Sequence, residues 1–337
     1  MPLVTSRAIL EASMAAFKAG KPFAVGAYNV NNMEQMQAIM LAAKTTGSPV
    51  IVQVSRGALK YAEDKYIRNI IMAGVEVNPE VPLAMHLDHG NSLETVKRAI
   101  DLGFTSVMID GSLLEDSKTP SDFAYNVKVT AEAVKYAHDR GVSVEGELGT
   151  LGGIEDGVGS GHTHLTDPDE AVQFVAQTGV DALAISIGTS HGAFKFKNEA
   201  KISLDVIKSC REKLPQTALV SHGSSSVPAE LIVEINKYGG KLEHTMGVPL
   251  DLLARAIGFG INKINVDTDV RLAATAATRK YLAENPDKWD QRDFAGAARE
   301  AVAQMIAGRM QAFGSAGHAG DIQPLGLAEM KARYAGK

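Results

Sequence analysis

The sequence contains a single cysteine, Cys210, among 337 residues. This excludes a framework of internal disulfides and fits a reducing compartment. No apolar run approaches the ~20 residues that a membrane span requires, and the mean hydropathy is only -0.03. Residues Met1 to Ser6 do not pair a basic segment with an apolar one, as a signal peptide would. We therefore expect a cytoplasmic protein that does not bind membranes.

Positive charge is also scarce. The chain has 34 Lys and Arg residues against 39 Asp and Glu residues, which gives a formal net charge of -5. This excludes a broad nucleic-acid-binding surface, because such surfaces carry an excess of basic residues. Hydrophobic residues make up 45% of the chain and charged residues 22%, which is typical of globular proteins. No linker, low-complexity tract or exact repeat divides the sequence.

Short apolar runs rich in Val, Ile and Ala alternate with amphipathic patterns, which predicts buried parallel strands alternating with helices. The predicted strands are Phe23–Asn29, Pro49–Ser55, Leu83–Asp88, Ser106–Asp110, Ser143–Leu148, Ala182–Ile187, Thr217–Ser221 and Lys263–Asp267. The predicted helices include Ser6–Gly20, Met33–Thr46, Ser92–Leu102, Ser121–Arg140, Asp167–Thr178, Val270–Glu284, Phe294–Phe313 and Leu325–Arg333.

Eight such units predict an α/β fold, the closed (β/α)8 TIM barrel. An open dinucleotide-binding sheet would show Gly-x-Gly-x-x-Gly after its first strand, and the sequence there reads Gly26-Ala27-Tyr28-Asn29. We assign residues 1–284 to the barrel and residues 285–337 to a helical extension of the same domain. The apolar face of that extension needs a surface to bury it, which either the barrel or a second subunit could supply.

Polar residues cluster where the predicted strands end, which is the catalytic face of this fold. His89, His191 and His222 each follow a strand and precede a glycine. Three imidazoles with an open fourth position are typical of a catalytic site for zinc or a similar divalent metal. Asp110 and Glu147 end neighbouring strands. They either hold the metal in an alternate position or make structural hydrogen bonds.

Two further residues lie beside the first of these histidines. Asp88 precedes His89 directly and is either a proton donor or a group that orients that histidine. His86 lies on the same side of the strand as Asp88. We interpret it as a supporting or packing residue rather than a metal ligand.

The turns after the last two strands predict a phosphate site, since these two loops bind phosphate recurrently in this fold. The first turn reads Gly223-Ser224-Ser225-Ser226, and the second contains Asn265, Val266, Asp267 and Thr268. Glycine lets backbone N–H groups approach an anion, and the hydroxyls add donors. A capped turn without a ligand is the alternative.

A glycine-rich stretch, residues 149–161, follows the fifth strand. Such a stretch can cover the site as a lid. Glu155 is its most distinctive acid and could act as a base when the lid closes. His162 and His164 resemble a metal-binding pair, but no third ligand accompanies them, so we do not assign a metal to them.

These motifs resemble those of the class II, metal-dependent fructose-bisphosphate aldolases, over nearly the whole chain. The matching segments occur in the family's order and spacing: His-Leu-Asp-His-Gly, Glu-Leu-Gly with its Gly-Gly-x-Glu-Asp loop, Ser-His-Gly, His-Gly-Ser-Ser-Ser and Asn-Val-Asp-Thr-Asp. The long tail and Ser55-Arg56-Gly57 are most similar to the long bacterial form.

The resemblance implies a role for each matching residue. It makes His89, His191 and His222 the ligands of a catalytic Zn2+, Asp110 and Glu147 a second divalent position, Asp88 the proton donor and Glu155 the lid base. It implies a ketose-phosphate site formed by Gly192, Gly223, Ser224, Ser225, Asn265, Val266, Asp267 and Thr268. It also implies a K+ or Na+ ion near Gly192 and Gly223, and a contact from Ser55 to the aldehyde half of the substrate.

The resemblance further implies a homodimer or homotetramer, and it favours the second subunit as the surface that buries the apolar face of the extension. In this assembly Arg292 reaches the partner's site and holds the distal phosphate. Arg271 competes for that role. The local match is imperfect, because the sequence reads Asp290-Gln291-Arg292 where family members often have Asp-Pro-Arg. Ile154 also replaces an acid that some members carry in the lid.

The implied reaction is zinc-dependent, reversible cleavage of fructose 1,6-bisphosphate to dihydroxyacetone phosphate and glyceraldehyde 3-phosphate, in glycolysis, gluconeogenesis or carbon fixation. Tagatose-bisphosphate aldolase is the close alternative, although its chains usually lack such a tail. A zinc hydrolase on the same barrel is a more distant alternative. A Schiff-base aldolase would need a lysine at the catalytic rim, and Lys263 begins its predicted strand at the opposite rim.

Overall fold

The computed structural model describes residues 3–150, 164–190, 192, 201–243 and 246–336. Eight parallel strands close into a barrel in chain order, with the first strand paired to the last. They are β1 (Val25–Asn29), β2 (Val50–Ser55), β3 (Leu83–Gly90), β4 (Ser106–Ile109), β5 (Ser143–Leu148), β6 (Ala182–Ile185), β7 (Ala218–Ser221) and β8 (Ile261–Val266). The predicted TIM barrel is confirmed, and every strand lies within two residues of its predicted bounds.

Thirteen α-helices surround and extend this barrel in the described part of the chain. They are α1 (Ser6–Lys18), α2 (Met33–Thr46), α3 (Arg56–Ala62), α4 (Asp64–Val77), α5 (Leu93–Asp101), α6 (Phe123–His138), α7 (Pro168–Thr178), α8 (Leu204–Lys213), α9 (Ala229–Lys237), α10 (Leu250–Gly258), α11 (Thr268–Glu284), α12 (Gln291–Ala312) and α13 (Leu327–Ala335). None of these helices is long and apolar enough to cross a membrane.

Side-chain caps explain several helix starts that were visible in the sequence. The Asn32 side chain accepts a hydrogen bond from the Gln35 N–H at the start of α2. Asp167 caps α7 in the same way, with Pro168 in the first turn. Both caps satisfy backbone N–H groups that the helix itself leaves unpaired. The caps therefore fix where the chain leaves each strand and turns into the surrounding layer.

Helix α1 covers the barrel end at which the strands begin. The Ser6 hydroxyl lies 2.6 Å from the Ser106 hydroxyl and 2.9 Å from that of Ser143. Ile9 of α1 is fully buried with Val25 and Ala84 of the barrel strands. With this end closed, the opposite end, where the strands terminate, is the open face at which a site can form.

The C-terminal extension packs on the chain's own helices. Helix α12 lies against α2 and α11, and Val302, Ile306 and Met310 along it are at most 1% exposed. The resemblance favoured a partner subunit as the surface that buries this face, and that expectation is wrong for these residues. Their apolar side chains complete the core of the barrel domain itself.

Candidate metal and substrate site at the strand ends

Four of the five predicted metal ligands lie in the described part of the chain, and the structure brings them together. His89 Nδ1 is 3.1 Å from Asp110 Oδ2, and His89 Nε2 is 3.1 Å from His222 Nδ1. Glu147 Oε2 lies 3.7 Å from the same nitrogen of His222. Residues that are far apart in sequence thus converge because the ends of β3, β4, β5 and β7 meet at one rim. The fifth, His191, lies outside the described residues.

A local irregularity in β3 directs His89 into this cluster. The pairing of β3 with β4 shifts register between Leu87 and Gly90, and His89 has a φ of 49°. A non-glycine residue in this left-handed region carries backbone strain, which is common at functional sites. The bulge turns the His89 ring toward His222 instead of leaving it in the regular alternation of the strand.

The two rings are arranged as ligands of a cation. The nitrogen of His89 that faces away from His222 lies against the Asp110 carboxylate. The corresponding nitrogen of His222 lies 2.7 Å from Glu145 Oε1. A carboxylate accepts hydrogen bonds, so in the neutral rings the N–H groups point to these carboxylates. The other two ring nitrogens lie 3.1 Å apart, close enough to share either a proton or a cation.

The charges around this point also favour a cation. Burial alone would lower the pKa of His89, but the carboxylates of Asp88, Asp110 and Glu147 outweigh it and raise that pKa to about 10. Burial and the charge of Asp110 raise the pKa of Glu147 well above its usual range. Glu147 Oε2 is buried and has no hydrogen-bond partner among the described residues. A divalent cation would satisfy this oxygen, and the donor set of imidazoles and carboxylates suits zinc.

Sequence reasoning missed a buried ion pair beneath the histidines. Lys263 Nζ donates to Glu145 Oε2 at 2.8 Å and lies 3.4 Å from His86 Nε2. All three side chains are at most 1% exposed. Burial alone would raise the pKa of Glu145, but the Lys263 ammonium and the His222 bond lower it well below its usual range. Lys263 therefore keeps Glu145 anionic, and Glu145 orients the His222 ring.

The sequence contains one signal for the ion pair between Lys263 and Glu145. Glu145 and Glu147 lie two residues apart on one strand, so they point to the same side of the sheet. An acid in the middle of a buried parallel strand needs a cationic partner, and Lys263 is likewise a charged residue within an apolar strand. Pairing the two required knowing that β5 and β8 face each other across the barrel interior.

We expect Glu145→Gln to weaken zinc binding roughly 10–100-fold, the usual effect of losing a carboxylate that orients a histidine ligand. The new amide has one acceptor oxygen, which the Lys263 ammonium takes. Its NH2 group then faces His222 Nε2 and moves the ring proton to Nδ1, the nitrogen that faces His89. Competition with a chromophoric chelator measures the affinity. Glu212→Gln, an exposed position on α8, is the matched control, and equal affinities for both variants would contradict the assignment.

Three amide side chains orient Asp88 beside the histidines. Asp88 Oδ2 accepts hydrogen bonds from Asn29 Nδ2 at 3.1 Å and Gln53 Nε2 at 3.3 Å. Its other oxygen accepts from Asn265 Nδ2 at 3.3 Å. Burial alone would raise the pKa of Asp88, but His89 and His222 outweigh it and lower that pKa. The carboxyl is thus held in one orientation, 4.0 Å from His89 Nε2.

The predicted phosphate cradle lies next to this cluster. Gly223 has a φ of 60°, and a Cβ there would lie 2.6 Å from the Ser190 carbonyl oxygen, so only glycine fits without rearrangement. The Ser224 hydroxyl is 2.7 Å from that of Ser221, and Ser225 is 3% exposed. The Ser224 hydroxyl also donates to the His222 carbonyl oxygen at 3.1 Å, so an anion at this turn would bind chiefly through backbone N–H groups.

The turn after β8 completes the rim. Val266 ends β8, and α11 begins at Thr268. Asn265 Oδ1 is buried and has no hydrogen-bond partner among the described residues. Asp267 forms a two-bond ion pair with Arg271, in which Nη2 and Oδ2 are 2.6 Å apart. The helix start and the unpaired amide oxygen are groups that a polar ligand can satisfy.

The remaining predicted residues have mixed outcomes. The Ser55 side chain caps α3 by accepting from the Ala58 N–H, and Gly192 has a φ of 81°. Arg292 lies in the first turn of α12 with its side chain 85% exposed and pairs with Asp290. Glu155 and His162 lie outside the described residues. His164 is exposed, and its backbone pairs with that of Thr150.

Comparisons with known proteins agree with this geometry. The family described as fructose-bisphosphate aldolase class-II matches residues 12–318. A fructose-bisphosphate aldolase of Giardia intestinalis is 51% identical over 336 residues, which cover 99% of this chain and 100% of that protein. One from Stutzerimonas stutzeri is 50% identical over 350 aligned positions, covering 99% and 98% of the two chains.

Solved structures give the same result. The crystal structure of the YdjI aldolase from Escherichia coli K12 superimposes with a TM-score of 0.73 at 29% identity, covering 94% of this chain and 99% of that one. The barrel, the converging histidines and carboxylates, and the full-length relatives all indicate one family. The chain belongs to the class II fructose-bisphosphate aldolases, metal-dependent aldehyde-lyases built on a TIM barrel.

Proposed function

We propose that the enzyme is a zinc-dependent aldolase that reversibly cleaves fructose 1,6-bisphosphate to dihydroxyacetone phosphate and glyceraldehyde 3-phosphate. The observation that carries the proposal is the pair of imidazole nitrogens facing each other at 3.1 Å, next to a glycine- and serine-lined cradle. His89, His222 and, by resemblance, His191 hold the cation. When bound, it polarises the substrate carbonyl and lowers the barrier to removal of a neighbouring proton.

The chain's own residues then bind the substrate and move protons. The turns at Gly223–Ser225 and Asn265–Thr268, together with Gly192, hold the ketose phosphate, and Ser55 contacts the aldehyde half. Glu155 removes a C–H proton from dihydroxyacetone phosphate in the condensation direction. Asp88 is held by its three amide contacts. In the cleavage direction its carboxylate accepts the hydroxyl proton, which suits its lowered pKa, and in condensation it returns that proton to the alkoxide.

Asp110 and Glu147 supply a second position for a divalent ion. They and His89 each offer a ligand atom, and these atoms lie within 4.8 Å of one another. Asp88, His89 and His222 form a second such group, so the cation has two neighbouring positions that share His89. We further propose that K+ or Na+ binds carbonyl groups near Gly192 and Gly223, as the resemblance implies.

Fructose is favoured over tagatose as the substrate sugar because several full-length relatives are named fructose-bisphosphate aldolases. Parallel assays with fructose 1,6-bisphosphate and tagatose 1,6-bisphosphate test this choice. A higher kcat/KM for tagatose would overturn it. Exchange of a C–H proton of labelled dihydroxyacetone phosphate with solvent tests the reaction class, because a zinc hydrolase would not catalyse that exchange.

We propose that an arginine binds the distal phosphate, and the two candidates predict different results. Arginine is suited to this role because its guanidinium can bind phosphate with two hydrogen bonds. Arg271 lies at the rim and is tied to Asp267, whereas Arg292 is exposed on α12 and needs the site of another subunit.

If Arg292 is the ligand, Arg292→Ala should raise the KM for fructose 1,6-bisphosphate far more than it slows proton exchange on dihydroxyacetone phosphate, which lacks the distal phosphate. Arg271→Ala serves as the comparison variant. If Arg271→Ala alone gives this pattern, the assignment of Arg292 is wrong. Equal losses in both assays for Arg292→Ala would make it a structural residue.

The assembly and setting of the enzyme are proposals that follow from the resemblance. We propose a homodimer or homotetramer that acts in the cytoplasm, in glycolysis, gluconeogenesis or carbon fixation. Sedimentation velocity gives the assembly directly. A monomer with full activity would remove the contribution of Arg292 from a second subunit.

A further inference from the structure

A buried ion pair connects the C-terminal extension to the phosphate cradle. Arg309 of α12 donates from Nε to Asp269 Oδ2 at 3.0 Å. Asp269 follows the start of α11 and is fully buried, and Arg309 is only 8% exposed. The same carboxylate accepts hydrogen bonds from the backbone N–H groups of Ser226 at 3.1 Å and Val227 at 2.8 Å. One side chain thus joins α11, α12 and the turn that follows β7.

This contact holds the turn in a conformation that it would not adopt alone. Val227 has a φ of 48°, and a β-branched residue in the left-handed region is a clear outlier. Such strain persists only where the surroundings fix the backbone. The two hydrogen bonds that the consecutive N–H groups of Ser226 and Val227 donate to Asp269 supply that restraint. They lie immediately after the residues that form the cradle, Gly223, Ser224 and Ser225.

Arg309 is not needed to attach α12 to the barrel. Val302, Ile306 and Met310 on the same helix are already buried in the core, and apolar burial is the main source of helix docking. What Arg309 adds is a positive charge against a fully buried carboxylate. Without Arg309, the buried Asp269 carboxylate would lack this compensating positive charge. It would then lie next to the site that is proposed to bind another anion, the phosphate.

We propose that Arg309 is a positioning residue that sets the phosphate affinity of the cradle through Asp269. It touches neither substrate nor metal. It keeps the Asp269 carboxylate in place and its charge compensated, so that the turn after β7 presents its N–H groups and hydroxyls in one arrangement. The proposal rests on the proposed function, in which this turn binds the ketose phosphate.

The test compares Arg309→Met, Arg309→Lys and the control Arg299→Met in the zinc-loaded enzyme. Methionine keeps an apolar stem, lysine restores the charge, and Arg299 lies on the same helix and contacts Gln37 at the surface. For Arg309→Met we expect the KM for fructose 1,6-bisphosphate and the inhibition constant of inorganic phosphate to rise roughly tenfold, within the usual range of coupling between separate sites. The kcat should change much less, lysine should restore part of the affinity, and the control should match the wild type.

Amide hydrogen exchange provides a readout that does not depend on activity. Exchange at Ser226 and Val227 should accelerate in Arg309→Met but not in Arg299→Met, because the acceptor of both N–H groups loses its anchor. A lowered melting temperature with unchanged phosphate inhibition and unchanged exchange at these two amides would overturn the proposal. If Arg309→Met does not fold, the two variants Arg309→Lys and Asp269→Asn are each compared with Arg299→Met instead. Wild-type phosphate affinity and wild-type amide exchange in both of these variants would also overturn the proposal.

Failure of the proposed function gives a different result. A wild-type enzyme that does not cleave fructose 1,6-bisphosphate would reject the substrate assignment. The calorimetric affinity for inorganic phosphate would still differ between Arg309→Met and the control if Arg309 positions an anion site. Cleavage by the wild type with equal phosphate affinity in both variants would reject only the role of Arg309.

Discussion

His222→Ala is expected to abolish cleavage of fructose 1,6-bisphosphate and to lower the zinc content of the purified enzyme. The His222 ring faces His89 with its Nδ1 atom, and its Nε2 atom lies against the Glu145 carboxylate. Losing one of three protein ligands leaves too few to hold the ion in an activating geometry. Elemental analysis and the steady-state cleavage rate, measured on the same preparation, check both parts of the expectation.

The control for this variant is His318→Ala. His318 belongs to the C-terminal extension, where its ring stacks on Phe23, so its loss removes an imidazole without touching the rim. Normal zinc content and full activity in His222→Ala would reject the metal assignment. The loss of activity in both variants to the same extent would point to a general loss of folding, which the melting temperatures would show.

Asp88→Asn should slow cleavage by roughly 10²–10⁴, the usual contribution of a positioned proton donor. The replacement preserves shape. The site can accommodate the new amide because Asn265 Oδ1, which has no partner among the described residues, can turn toward the added NH2 group. Proton exchange on dihydroxyacetone phosphate should persist, since removing the C–H proton does not require this residue. Measuring cleavage and exchange in the same variant separates the two steps.

Glu155, the residue predicted to lie in a lid, is expected to give the complementary pattern. Glu155→Ala should keep zinc and lose proton exchange, because the proposed base is absent while the ligands on the strands are intact. If Asp88→Asn loses exchange as well as cleavage, Asp88 affects substrate binding or proton removal and its role as the donor is wrong. If exchange survives in Glu155→Ala, another carboxylate removes the proton, and Glu147 is the first to test.

The fold was predictable because each of its signals is local. Largely apolar runs such as Val50–Ser55 indicate burial on both faces, and side chains such as Ser92 and Asp167 mark helix starts. Eight such units leave few architectures to consider. The rim residues followed from the same reasoning, because every residue at the end of a parallel strand must lie at one face of the barrel.

The buried contacts beneath the site could not be predicted from such local signals. The contact between Lys263 and Glu145 joins strands that are 118 residues apart, and it depends on which side chains point inward at the same height. The position of α12 is a similar case, since its sequence pattern alone does not distinguish packing on a partner subunit from the observed packing on α2 and α11. Arg309 looks like an ordinary surface charge of a helix until the packing of α12 is known, and its contact with Asp269 depends on that packing.

The most direct test of the central claim is fructose 1,6-bisphosphate cleavage before chelation, after chelation and after zinc is added back. Removing the metal should abolish cleavage, and activity should return in proportion to the zinc bound, reaching its maximum when the site formed by His89 and His222 is filled. A chelated, metal-free preparation that still cleaves the sugar at the full rate would show that the reaction does not depend on zinc.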